Sequence, residues 1–421
     1  MNIGAPAAFH VMAKPTGAIC NLDCEYCFFL SKEQLYPGSG FRMERRVHEA
    51  YVSQLLAAHT GADEVVVAFQ GGEPTLMGLE FFIRTLELER QYRRPGQRIL
   101  NTIQTNGTLL DDQWGEFLFA NDFLVGLSVD GPREMHDAYR VDKGGKPTFD
   151  RVMRGLDVLK RHRVDWNALT TVNAANGDHG REVYTFLRDD LGAEFIQLIP
   201  IVERVTPELL PLAESGWGRR PGERPIYRQD GDQVTRRTVG AEQYGRFLVE
   251  VFDEWVRHDV GDVFVQEFDT ALAHWLGMDQ AGMCVHARTC GSALALEHNG
   301  DLYSCDHYVE EDHLLGNIAD GRTLLELVSS PQQDAFGNAK LDTLPDYCRR
   351  CDVRFACNGG CPKDRFIRTP DGEPGLHYLC AGYQQFFRHV DEPMRVMAGL
   401  IRSGADATAV REWYADRERT A

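Results

Sequence analysis

The sequence predicts an α/β protein built on a parallel sheet, and three observations carry that expectation. Between residue 8 and about residue 200, six short apolar segments alternate with five longer amphipathic ones. Glycine-bearing polar turns follow the apolar segments. The eleven cysteines fall into two groups, three before residue 28 and eight between 284 and 380, which marks a second unit after the sheet.

The expected strands are Phe9–Ala13, Val65–Phe69, Ile99–Ile103, Phe123–Val129, Trp166–Val172 and Phe195–Ile199. Each is short, rich in apolar or β-branched residues, and bounded by Gly, Pro, Asn or Asp. Met43–Ala58, Leu79–Tyr92, Asp112–Ala120, Phe149–His162 and Gly180–Asp190 have helical spacing. Strands alternating with such segments imply parallel pairing through right-handed crossovers. The pattern leaves an open sheet and a partial barrel as alternatives. Ligands of such sheets bind at the carboxyl ends of the strands. The turns Gln70–Pro74, Gln104–Gly107 and Ser128–Pro132, together with the loop after the first strand, are therefore expected on one face.

That first loop reads Cys20-Asn21-Leu22-Asp23-Cys24-Glu25-Tyr26-Cys27, a C-x3-C-x2-C spacing. Three thiolates on one tight loop suit a four-iron cluster with one iron left open for another ligand. Structural zinc takes four N or S ligands, usually from paired C-x2-4-C units. Here three cysteines stand alone, with no histidine between His10 and His48. Scattered core cysteines would not cluster this way.

Residues 204–240 break the alternation. Ser215–Pro225 is rich in Gly, Pro and Arg and reads as a surface excursion rather than a lid. Gln243–Arg257 is expected to be helical, with Tyr244, Phe247, Leu248, Val251 and Trp255 at core spacing. Cys284, Cys290, Cys305, Cys348, Cys351, Cys357, Cys361 and Cys380 then supply two complete four-cysteine sets, a count that iron–sulfur clusters and zinc would both satisfy. The expected organisation is a sheet unit over 1–240, a helical link over 241–283, a cysteine-rich unit over 284–390 and a charged helical tail over 391–421.

Bulk properties narrow the function. Asp and Glu outnumber Lys and Arg by 63 to 45, giving a formal net charge of −18. That argues against a nonspecific nucleic-acid binder, which needs a basic surface. No apolar run approaches a membrane span of ~18 residues, and Met1–Phe9 lacks the pattern of a secretory leader. A cytoplasmic protein is expected, in which an odd number of cysteines reads as metal ligands rather than disulfides.

With these residues in view, the chain resembles the anaerobic sulfatase-maturating enzymes, radical S-adenosylmethionine proteins with a C-terminal SPASM domain. The resemblance runs from about Lys14 to Phe387. It rests on Cys20-x3-Cys24-x2-Cys27, Phe69–Leu76 (FQGGEPTL), Gln104–Thr108 (QTNGT), Leu127–Pro132 (LSVDGP), Ser304-Cys305-Asp306 and the five later cysteines. It implies a partial (β/α)6 barrel and three [4Fe-4S] clusters. Cys20, Cys24 and Cys27 would hold the first cluster, whose open iron chelates S-adenosylmethionine. Cys284, Cys290, Cys305 and Cys361 would hold one auxiliary cluster, and Cys348, Cys351, Cys357 and Cys380 the other.

By the same resemblance Tyr26, Gly72, Ser128, Arg140 and the backbone of Val202 contact the cofactor, and Gln70 orients the substrate. A 5′-deoxyadenosyl radical would take a hydrogen from the β-carbon of a Cys or Ser in an unfolded sulfatase polypeptide with a C/S-x-P/A-x-R type motif. Asp306 would accept the proton that follows, with His307 as a rival base, and an auxiliary cluster the electron. An electron donor such as flavodoxin or ferredoxin is implied. The 204–240 segment departs from the family by being longer and more basic. Three other readings stand beside this one: a SPASM maturase forming a thioether or other crosslink, a non-catalytic zinc or iron–sulfur module, and a radical methyltransferase of RNA.

Overall fold

The structure, a computed structural model, describes residues 9–61, 64–217, 224–278 and 282–420. Residues 1–8 of the leader reading and 218–223 of the Gly/Pro/Arg stretch lie outside the described residues. The six expected strands are present as β1 (His10–Lys14), β2 (Glu64–Phe69), β3 (Arg98–Thr105), β4 (Leu124–Ser128), β5 (Trp166–Val172) and β6 (Phe195–Pro200). They pair in parallel and in chain order. Phe264–Val265 extends the sheet beyond β6.

On the other side the sheet continues into the cysteine-rich half. Ala293–Glu297 pairs in parallel with β1, setting Lys14 opposite Glu297, and Asp301–Tyr303 and Leu314–Asn317 follow antiparallel. The ten strands form one row whose two edges do not meet. Its unclosed, largely parallel form is that of the partial barrel.

Alternation along β1 explains its placement. Val11 and Ala13 are fully buried in a core shared with Val67, Ile103 and Val125. Helices α1 (Arg45–Ala58), α2 (Leu79–Tyr92) and α3 (Asp112–Ala120) cover that core with Val52, Leu55, Phe82 and Leu118. Successive side chains on a strand point to opposite faces, so Lys14 lies on the other face, toward the sheet's interior.

A second core lies around β5, β6 and the helix Ala241–His258. Tyr244, Phe247, Leu248, Val251 and Trp255 of that helix are buried, as their spacing predicts. It crosses the helix Cys380–His389 where Gly245 and Gly382 meet: a Cβ on Gly245 would stand 2.7 Å from the Gly382 Cα. Glycine at the crossing lets the backbones approach and fixes where Cys380 emerges. The fifth predicted helix differs in its second half, where Phe186–Asp190 forms a π-helical turn after Gly180–Thr185. No helix among the described residues is long and apolar enough to cross a membrane.

The 204–240 segment differs from a solvated excursion. Val205, Ala213, Trp217 and Tyr227 are buried together, against Phe28 of the first cysteine loop. Arg237 is fully buried on Glu203, with Nε donating at 2.9 Å. Lys32 donates to the Tyr227 carbonyl at 2.7 Å, and Arg224 ion-pairs with Asp23 at 2.5 Å. The local sequence shows turn residues but not these long-range partners, which turn the described parts of the segment into a packed cover.

Candidate functional site: a cysteine loop, its glycine turns and two further cysteine sets

The first cysteine loop is held from two sides. On one side the Asp23 and Glu25 amides donate to the Val141 and Tyr139 carbonyls, so the segment carrying Arg140 runs alongside it. On the other side the Glu73 amide donates to the Ile19 carbonyl, and the Thr16 hydroxyl donates to the Glu73 carbonyl. The two glycines of the β2 turn make this docking possible. A Cβ on Gly71 would stand 2.7 Å from the Lys14 side chain, and one on Gly72 would run into the Ile19 carbonyl. Both adopt positive φ, +111° and +54°, which favours glycine.

Glu73 ties the turn to the next strand. Its buried carboxylate accepts from Thr75 N at 3.0 Å, Thr75 Oγ1 at 2.7 Å, Thr105 Oγ1 at 2.8 Å and Asn106 N at 2.9 Å. Burial raises its pKa, against the pull of those hydrogen bonds. Asn106 in turn reaches the loop, with Nδ2 2.8 Å from Asn21 Oδ1 and 3.7 Å from the Cys20 sulfur. Thus Cys20, Gly72 and Asn106 meet as expected of loops sharing one face.

Asp130 is the second organising group, and the sequence alone does not single it out. Its carboxylate accepts from Tyr26 Oη at 2.5 Å, Arg140 Nε at 2.8 Å, Arg140 Nη2 at 3.1 Å and Thr171 N at 2.9 Å. Burial alone would raise its pKa, but Arg140 outweighs that and holds the carboxyl below the usual range. Tyr26 and Arg140 are therefore brought together, through a residue whose only sequence signal is its place in the SVDGP turn. Ser128 lies at the end of β4 and accepts from Gln104 Nε2 at 3.0 Å. Gln70 is half-buried just past β2, its amide donating to the Ala13 carbonyl. Val202, just after β6, buries its side chain in the second core.

The thiols sort by which of them act electrostatically on one another. Cys20, Cys24 and Cys27 lie within electrostatic reach of one another. Cys284, Cys290, Cys305 and Cys361 are linked in the same way, as are Cys348, Cys351, Cys357 and Cys380. Burial pushes every one of these thiols up, Cys24, Cys357, Cys361 and Cys380 to about 12. Thiols with raised pKa values are poor free thiolates, and a bound metal would deprotonate them. Among the described residues, no three Cys, His, Asp or Glu side chains converge on a single ion. One group of three thiols and two of four are donor sets that iron–sulfur clusters take.

Asp306 follows Cys305 and ion-pairs with Lys14. Burial raises its pKa, but the nearby cations, Lys14 first and then Lys32, help to outweigh this and hold the carboxyl below its ordinary value. The His307 pKa is also lowered, to about 4, chiefly by burial and then by Lys363. Near neutral pH, Asp306 is thus ionised and His307 is neutral.

Comparison with known proteins agrees with this geometry. Residues 15–187 match the radical SAM superfamily, and residues 284–352 match the SPASM iron–sulfur cluster-binding domain. Fold and site therefore define a radical SAM protein with a SPASM domain. A serine-type anaerobic sulfatase-maturating enzyme of Bacteroides thetaiotaomicron is 44% identical, over 92% of this chain and 91% of its own. A cysteine-type counterpart from Clostridium perfringens is 32% identical, over 90% and 95%. The solved structure of native anSMEcpe with bound AdoMet and Cp18Cys peptide superposes with a TM-score of 0.78 at 31% identity, covering 93% of this chain and 99% of that one. The chain belongs to the anaerobic sulfatase-maturating enzymes.

Proposed function

We propose that this protein oxidises the active-site Cys or Ser of an unfolded sulfatase polypeptide to Cα-formylglycine, in the cytoplasm. Cys20, Cys24 and Cys27 hold a [4Fe-4S] cluster, and the two later sets hold two more. Tyr26, Gly72, Ser128, Arg140 and the Val202 backbone would hold S-adenosylmethionine beside the first cluster. When bound, these groups supply a 5′-deoxyadenosyl radical that removes a hydrogen atom from the substrate β-carbon, and an acceptor for the electron left behind.

The protein's own part is positioning and proton transfer. Gly71 and Gly72 let the β2 turn close on the cysteine loop, and the Asp130 carboxylate orients Tyr26 and Arg140 beside it. Gln70, at the carboxyl end of β2, orients the substrate side chain. The observation that carries the reading is Asp306, ionised beside Lys14 and next to the thiol of Cys305. A base must stand within hydrogen-bond reach of the proton it takes, and an adjacent cluster ligand anchors it there. Oxidation needs one such acceptor besides the hydrogen and electron acceptors. The family membership disfavours the crosslinking alternative.

Paired Cys and Ser peptides carrying a C/S-x-P/A-x-R motif test the proposal. The protein is reconstituted anaerobically and supplied with a reductant of the flavodoxin or ferredoxin kind. 5′-Deoxyadenosine release coupled to an aldehyde in either peptide is expected. Cofactor cleavage that leaves both peptides unchanged, or links their side chains, would sink it.

A further inference from the structure

Among the described residues, most cations withdrawn from solvent have a carboxylate. Lys14 has Asp306, Lys32 has Glu310, Arg140 has Asp130, Arg237 has Glu203 and Lys363 has Asp364. Fully buried Lys340 and half-buried Arg365 do not. Lys340 is completely buried, and its Nζ donates to the carbonyls of Cys284 at 2.7 Å and Val285 at 2.9 Å. Arg365 donates to the carbonyls of Gly359 at 2.8 Å, Lys340 at 2.6 Å, Asn358 at 3.1 Å and Gly360 at 3.3 Å. Among the described residues, no carboxylate forms an ion pair with either.

What surrounds them instead is sulfur. Lys340 acts electrostatically on Cys284, Cys290 and Cys361 of one set and on Cys357 of the other. Arg365 acts on Cys290 and Cys361 of the first and on Cys348 and Cys357 of the second. The fold builds this placement. The helix Pro331–Asp342 approaches the Cys290 carbonyl so closely that a Cβ on Gly337 would stand 2.8 Å from it, and Lys340 lies one turn further on. Arg365 wraps the Asn358–Gly360 backbone that joins Cys357 of one set to Cys361 of the other.

A cation withdrawn from water without a counter-charge is expensive, most of all where it is fully buried as Lys340 is, and carbonyl dipoles do not neutralise it. The missing counter-charge is the anionic charge that eight iron-ligating thiolates bring. We propose that Lys340 and Arg365 are the shared counter-ions of the two auxiliary clusters, raising the reduction potential of both. Cluster potential follows net charge and hydrogen bonding around the sulfurs. A fixed positive charge favours the more negative, reduced form, which makes each cluster a better electron acceptor. Because each cation reaches both sets, one substitution moves both potentials. This rests on the ligand assignment proposed above.

The test is an EPR-monitored redox titration of the reconstituted full-length protein and its variants, with iron and sulfide measured on each. Absence of eight-cysteine cluster binding in the parent would refute the ligand assignment itself. Given that binding, Lys340→Gln and Arg365→Gln are each expected to lower both auxiliary potentials by about 59 mV, a tenfold change in the one-electron reduced-to-oxidised ratio. The first cluster serves as the internal reference, since neither cation is among the main influences on its thiols. Lys340→Arg and Arg365→Lys, which keep the charge, are expected to stay near the parent. Intact clusters with unmoved potentials in the neutral variants overturn the inference. So do equal shifts in the neutral and charge-keeping variants. Should the neutral variants lose iron, retention by the charge-keeping ones supports the counter-ion role, and loss in both overturns it.

Discussion

Lys14, the last residue of β1, ion-pairs through Nζ with Asp306 Oδ1, the contact being ionic rather than an aligned hydrogen bond. Lys14 is 1% exposed, and its cation also stands 4.1 Å from the centre of the Phe29 ring. The residue that leads into the first cysteine loop thus holds the carboxylate that follows Cys305. Asp306→Asn removes the acceptor and is expected to lower formylglycine formation by roughly 10²–10⁴ while cofactor cleavage continues. Unchanged product would dismiss Asp306 as the base. Lys14→Met removes the charge that offsets burial, so the Asp306 pKa rises. The acid limb of the pH–rate profile then moves to higher pH, whereas a purely structural role for Lys14 would scale the profile without moving that limb.

Much of this architecture is legible locally, and the parts that are not share a cause. Helices α2 and α3 occupy the spans their periodicity predicts, because one apolar face and turn residues at both ends define them. The two cysteine groups and the glycine turns stand out by spacing. Nothing local announces that Lys14 meets Asp306, that Ala293–Glu297 pairs with β1, or that Trp217 and Arg237 are buried. Those facts depend on register between distant strands and on partners far along the chain. A lysine ending an apolar strand, and an aspartate inside a glycine turn such as Asp130, are weak signals until their partners are placed. Glu73 belongs with them. It is legible as part of a turn, but its four hydrogen bonds to three residues make it a clamp between two strand ends.

Gly72→Ala tests the docking of the β2 turn. The substitution adds the cost of an αL conformation, about 1–2 kcal/mol. It also drives a methyl group into the Ile19 carbonyl and to within 2.7 Å of the Gly17 carbonyl. The backbone that must yield carries Cys20. We expect reduced iron at the first cluster and loss of cofactor cleavage, with the two auxiliary clusters retained. Gly96→Ala is the control, since Gly96 has φ +82° and a Cβ added there would meet nothing within 4 Å. Equal iron loss in both variants would attribute the effect to backbone strain alone.

Glu267 provides a pH signature independent of the cofactors. It lies in the first turn of the helix Gln266–Trp275, 3% exposed, with Oε1 accepting from the Leu198 amide at 3.0 Å and Oε2 without a hydrogen-bond partner. Burial pushes its pKa from 4.5 to about 8. Between those values the folded chain keeps a proton that the unfolded chain has released. Its contribution to stability therefore declines as pH rises through that window, by up to about 1.4 kcal/mol per pH unit, and levels off above about pH 8. Glu267→Gln keeps an acceptor for Leu198 and abolishes the decline. The variant should match the parent in thermal unfolding near pH 4 and exceed it in Tm near pH 9. Parallel Tm curves for the two across that range would show that Glu267 is ionised at no cost in the folded protein.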